Sequence, residues 1–242
     1  MRRRGESIIE AMVIDMNEGQ VRTLEQVRQV VADLARHAAR GTVIAIHSTI
    51  ADTTAADLAA EFAPHGIDVI DAPVSGGGGA AEKGELATMI GAPREVYERV
   101  KPIFKKWASL VIRAGEPGAG TRMKLARNML TFTSLAATAE AMRLAEAAGL
   151  DLQALGRVVR HTDALTGGAG AIMIRDNTHD LDPGHWLYDT FSHTRDLGEK
   201  DLNLALALGD SLGTDLPLAR IAVENLAAGL GVPHEREVDH GS

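Results

Sequence analysis

The chain has 242 residues and 45% hydrophobic content, enough for one large domain or two smaller ones with a real core. Lys and Arg number 25 against 33 Asp and Glu, a net charge of −8, so the concentrated basic face that nucleic acid requires is missing. No apolar run approaches the length of a membrane span, and the absence of cysteine excludes a disulfide scaffold and thiol chemistry and fits a cytoplasmic setting.

Arg2, Arg3 and Arg4 form a basic run that reads as a solvated terminus, since no apolar stretch of the signal type follows. Ala11–Asp15 reads as a short buried strand. Val21–Ala39 has helical spacing, with Val27, Val30, Val31, Leu34 and Ala38 on one face and Gly41 closing it. Thr42–Ile46 is β-rich, and Thr53–Phe62 reads as a helix with Asp52 or Thr53 as its N-cap. Gly66 turns the chain into a strand at Ile67–Ile70. Two more strands, Leu86–Ile90 and Leu110–Ile112, flank a helix at Arg94–Phe104. This alternation predicts a parallel sheet with crossover helices.

After Gly120 the pattern becomes helical throughout. A long Ala- and Leu-rich helix is expected over Thr121–Ala148, then helices at Leu152–His161, Ala169–Asp176, Arg195–Leu212 and Leu218–Leu230, and a loose polar tail over Gly231–Ser242. The fold class is therefore α/β plus all-α, a partial parallel sheet over residues 1–117 followed by a helical domain over 118–242.

Three stretches carry chemistry. Asp71–Gly79, D-A-P-V-S-G-G-G-G, follows a strand, where ligands of open α/β sheets bind; its glycines let backbone approach an anion and Ser75 adds a hydroxyl. Gly118–Asn128, G-A-G-T-R-M-K-L-A-R-N, opens the long helix and sets Lys124 and Asn128 on one face, in its first two turns. A buried Lys near a helix N-terminus loses its proton more readily, as a general base must. Lys200–Leu206, K-D-L-N-L-A-L, is an amphipathic helix with Lys200 and Asp201 on its wet side.

In this order and with these local patterns, the three stretches resemble the β-hydroxyacid dehydrogenases of the 3-hydroxyisobutyrate dehydrogenase and tartronate semialdehyde reductase type, over nearly the whole chain. The resemblance implies a Rossmann-type half, a helical half that packs in dimers or tetramers, NAD or NADP as cofactor, and a small carboxylate substrate. It assigns Lys124 as acid and base, Asn128 as its orienting partner, Ser75, Gly76 and Gly77 to the substrate carboxylate, and Lys200 to the cofactor's neighbourhood. Ser48 and Thr49, in H-S-T-I, would lie beside the nicotinamide.

A family member is also expected to begin with a strand and a G-x-G-x-x-G phosphate loop. Neither that loop nor the first mononucleotide unit is found here, which leaves a truncated, inactive paralogue serving as an oligomerisation or interaction module as the rival reading. Without the strand 2 region, NAD and NADP cannot be distinguished. Thr121, Arg122 and Met123 contain no His before Lys124, which separates the chain from 6-phosphogluconate dehydrogenase. The nine His show neither H-x-x-x-H nor H-E-x-x-H, so no metal site is expected. His179, His185 and His193 are expected in a polar loop between Thr162 and Thr194.

Overall fold

Val43–Ile46 is a run of alternating side chains that are all buried, which requires cover on both faces of the sheet. The computed structural model, which describes residues 10–12, 24–48, 52–175 and 177–234, supplies both covers. Ile44 and Ile46 pack with Val69, Val27, Val31 and Leu58 on one side, and Val43 and Ala45 pack with Ile70, Ile90, Val96, Val100 and Phe104 on the other. Burial of these branched side chains contributes roughly 1.5–3 kcal/mol each and sets the register.

In chain order the elements are β1 (Glu10–Met12), α1 (Leu24–Ala35), β2 (Val43–Ile46), α2 (Asp52–Phe62), β3 (Asp68–Asp71), β4 (Val74–Ser75), α3 (Gly77–Lys83), β5 (Leu86–Gly91), α4 (Arg94–Phe104), β6 (Ala108–Gly115), α5 (Ala119–Ala147), α6 (Leu152–Thr166), α7 (Tyr188–Leu212) and α8 (Pro217–Leu230). The described sheet runs β1-β2-β3-β5-β4, with β6 on β5. The expected strand over Ala11–Asp15 is seen as Glu10–Met12, and Val13–Asp15 lie outside the described residues, as do Arg2, Arg3, Arg4 and the tail beyond His234.

The sheet is mixed rather than parallel throughout. β1, β2 and β3 are parallel and so are β5 and β6, but β5 runs antiparallel to β3 and β4. The reason is the connection: β3 leads into β5 through a short strand and a two-turn helix rather than a full crossover helix, whereas α4 provides such a crossover between β5 and β6.

The chain divides into two compact units between Leu130 and Thr131, within α5. In the second unit α7 and α8 pack through Leu187, Phe191, Leu230 and Val232. Glu140, buried in α5, accepts hydrogen bonds from the Leu218 and Ala219 N–H groups at 3.0 and 2.9 Å and so caps the start of α8. Asp151 caps α6 through the N–H groups of Gln153 and Ala154.

Two expectations for this half are corrected. The helix expected over Ala169–Asp176 is a single 3-10 turn at Gly168–Gly170 followed by turns to Ile174, because Gly167 and Gly168 both take positive φ and a G-G-A-G run has little helix propensity. Asp176 is outside the described residues. Helix α7 begins at Tyr188 rather than Arg195, since Leu187 and Phe191 bury four residues apart; His193 is therefore helical, although exposed. Among the described residues no helix is long and apolar enough to cross a membrane.

Candidate active site

The segment after β3 is framed by secondary structure on both sides of Ser75. Ala72 and Pro73 lead into β4, and the glycine run then enters α3 at Gly77. Gly76 and Gly77 have φ of 136° and 70°, values closed to other residues, and a Cβ on Gly76 would stand 2.7 Å from that of Ala80. The glycines thus serve a tight change of direction behind Ser75, whose side chain is half-buried.

Helix α5 brings Lys124 to this segment. The Lys124 Nζ donates to the Val74 carbonyl at 2.6 Å and to Ser75 Oγ at 3.1 Å. The residue is only 9% exposed. Burial lowers the pKa of the amine below its ordinary value, and the guanidinium of Arg127, one turn on, lowers it further. Desolvation and a nearby like charge both disfavour the ammonium form, and this is how a lysine becomes a proton acceptor closer to neutrality. The two hydrogen bonds fix the amine against the residue that precedes the glycines.

Asn128 stands one turn beyond Lys124, half-buried, and its Oδ1 accepts from Arg127 at 3.3 Å. Ser48 is buried just after the carboxyl end of β2, and Thr49 lies outside the described residues. Lys200 is exposed on α7 and pairs with Asp201 at 3.1 Å. An exposed pair of this kind contributes little to stability.

Two residues of this site were not singled out in the sequence. Asp71, the last residue of β3 and fully buried, accepts from the N–H groups of Gly118 and Thr121 at 2.7 and 2.6 Å. His47, buried against Phe104 and Trp107, has Nδ1 2.7 Å from the Ala72 carbonyl. A carbonyl only accepts, so the ring carries its proton on Nδ1. Burial lowers the His47 pKa, opposed in part by that bond, and favours the neutral ring. Each stood first in its motif, in D-A-P-V-S and H-S-T-I, which was the only signal available.

Ser48 follows the carboxyl end of β2 and Ser75, in contact with Lys124, follows that of β3; the two strands are adjacent, parallel and paired Ile46 to Asp71. That is the end of an open α/β sheet at which nucleotide cofactors lie.

Two family models match the chain. One, the NAD binding domain of 6-phosphogluconate dehydrogenase, matches residues 10–115, and the other, the NAD-binding unit of NADP-dependent 3-hydroxyisobutyrate dehydrogenase, matches residues 118–240. An uncharacterized oxidoreductase of Mycobacterium tuberculosis is 66% identical over 201 residues, which cover 83% of this chain and 68% of that protein. L-threonate dehydrogenase of Escherichia coli K12 is 32% identical over 220 residues, covering 88% of this chain and 70% of its own. A crystal structure of an oxidoreductase from Mycobacterium avium superposes with a TM-score of 0.85 at 72% identity, over 87% of this chain and 76% of that one.

Proposed function

The chain belongs to the β-hydroxyacid dehydrogenase family, and we propose that it moves a hydride between a small β-hydroxy acid and NAD or NADP with Lys124 as general acid and base. The observation that carries this reading is the buried Lys124 amine, held 3.1 Å from Ser75 Oγ with its pKa lowered. Residues 1–117 serve as the cofactor half and 118–242 as the helical half.

NAD or NADP, when bound, supplies the hydride acceptor. Ser48 and Thr49 would hold its nicotinamide end, and Lys200 would serve the cofactor. Ser75, with the backbone of Gly76 and Gly77, holds the substrate carboxylate. Lys124 Nζ, as the neutral amine, takes the proton of the substrate hydroxyl while the adjacent C–H bond gives up its hydride. In reduction the same nitrogen returns the proton to the developing alkoxide. Asn128 orients the substrate and the amine. A placed general base of this kind contributes roughly 10²–10⁴ in rate.

The substrate class rests on the carboxylate and hydroxyl that these groups match, and L-threonate, the substrate named for the Escherichia coli relative, belongs to the same chemical type. A second copy of the chain is the expected partner. Met129, Phe132 and Leu135 lie on one side of α5 and are 70%, 64% and 60% exposed, and apolar surface of this kind is normally covered by protein.

The test is a titration of the purified chain with NADH and NADPH, followed by cofactor fluorescence, and then a screen of small β-hydroxy acids. Micromolar binding with turnover supports the proposal. A folded chain that binds neither cofactor overturns it and leaves the interaction module as the better account.

A further inference from the structure

We propose that Asp71 is a positioning residue, a buried carboxylate that sets where Lys124 stands relative to Ser75; this rests on the role of Lys124 given above. The first N–H groups of a helix have no partner within it. In α5 two of them, from Gly118 and Thr121, are taken by the two oxygens of Asp71, at 2.7 and 2.6 Å. A side chain usually caps its own helix from the adjoining residue. Here the cap comes from the end of β3, 47 and 50 residues earlier in the chain.

The space around that carboxylate is built for it. A Cβ on Gly91 would fall 2.1 Å from Asp71 Oδ1, and one on Gly120 would fall 2.3 Å from the Met89 carbonyl and 3.0 Å from Asp71 Oδ2. Real Cβ contacts do not come that close, so the strand end, the carboxylate and the helix start fit only with bare backbone at both positions.

Asp71 is also the point from which both halves of the site extend. Four residues along the chain is Ser75, and one turn along α5 from Thr121 is Lys124. A shift of the helix start would move the amine against Val74 and Ser75, and displacements near 1 Å can cost on the order of 10²-fold in rate. His47 and the Thr88 hydroxyl both reach the intervening Ala72 carbonyl, so the arm carrying Ser75 is anchored while the Asp71 contacts fix the arm carrying Lys124.

The direction of a titration separates positioning from charge. The groups facing Lys124 are the Val74 carbonyl and Ser75 hydroxyl from β4 and the Arg127 guanidinium on its own helix; Asp71 stands one turn away, on the Thr121 N–H. Removing a negative charge would by itself lower the pKa of a nearby lysine. Loosening α5 would expose the amine to water and raise it.

Asp71→Asn and Asp71→Glu should therefore be made in the full chain, with folding checked by circular dichroism. Lysine labelled with ¹³C at Cε gives six resonances to titrate, and Lys124→Arg identifies the one of interest. In a folded variant the Lys124 pKa should rise by at least about 0.5 unit. Turnover should fall by about 10- to 100-fold while the cofactor KM stays within about 2-fold. A Lys124 pKa that is unchanged or lower overturns the proposal, and failure of both variants to fold overturns it too by assigning Asp71 to global stability. If the wild-type chain has no turnover with any β-hydroxy acid, the functional reading fails, yet the titration still decides the role of Asp71.

Discussion

Lys124→Met should abolish turnover without unfolding the protein, and the size of each effect follows from the site. Methionine is close to lysine in length and carries no charge, so the packing around position 124 is preserved. Two hydrogen bonds are lost, to the Val74 carbonyl and Ser75 Oγ, each worth on the order of 1 kcal/mol. Against this, the cost of burying an amine that burial itself makes less basic disappears. The two nearly offset, leaving a stability change within about 2 kcal/mol, or about 4–8 °C in Tm for a chain of this size. The loss of a general base is larger, roughly 10²–10⁴ in kcat or about 3–5 kcal/mol of barrier.

The sign of the pH dependence gives a second reading of the same variant. The folded-state pKa of Lys124 lies below its ordinary value of 10.5, so between the two the unfolded chain holds more protons and stability rises with pH. The unfavourable contribution is complete below the folded pKa and gone above 10.5. Denaturant unfolding at about pH 7 and pH 10 should thus show the wild type gaining on Lys124→Met as pH rises. A difference that does not change with pH, or a variant retaining most of its kcat, would refute the reasoning.

Ser75→Ala should raise the KM for the hydroxy acid about 10-fold, one lost hydrogen bond to a charged group, with a smaller change in kcat; steady-state kinetics with an unchanged KM would remove Ser75 from the carboxylate site. Glu140→Ala leaves the N–H groups of Leu218 and Ala219 without their carboxylate and should cost about 2 kcal/mol, read as a fall of about 4–8 °C in Tm. An unaltered Tm would mean that water replaces the cap. His47 has a pKa lowered by burial, so its contribution is present above the ordinary value of 6.5 and is lost as pH falls through the folded value. His47→Asn keeps a donor for the Ala72 carbonyl and does not titrate, so its Tm should fall less than that of the wild type between about pH 7.5 and pH 5; parallel losses would exclude His47 as a source of acid sensitivity.

What was legible in the sequence is what local spacing encodes. Helix α4 was expected over Arg94–Phe104 and is found there, because Pro93 opens it and Val96, Val100 and Phe104 repeat every four residues. The long helix after Gly120 was read from an uninterrupted Ala- and Leu-rich stretch and begins two residues earlier than expected. Strand direction was not legible, since β5 reverses through pairing with β3 that no local pattern records. The glycine run was read only as allowing close backbone approach to an anion; two positive-φ residues, Gly76 and Gly77, make the turn and the rest follow α3. Lys124 and Ser75 were picked from two separate motifs, and the fold places them in contact. Asp71 escaped notice because its partners are backbone N–H groups, which leave no trace in residue type.

The span of those hydrogen bonds has a consequence for the order in which the protein is made. Each of the four hydrogen bonds from the start of α5 to the segment Asp71–Ser75 reaches across 47 to 50 residues. Closing loops of that length is entropically costly, so these contacts form late. During synthesis the strand ending in Asp71 emerges well before Gly118, and until then its carboxylate has no helix start to receive. A nascent chain therefore has no partial form of this site. The Lys124 amine, Ser75 and the Asp71 carboxylate come together only when the amino-terminal end of α5 docks.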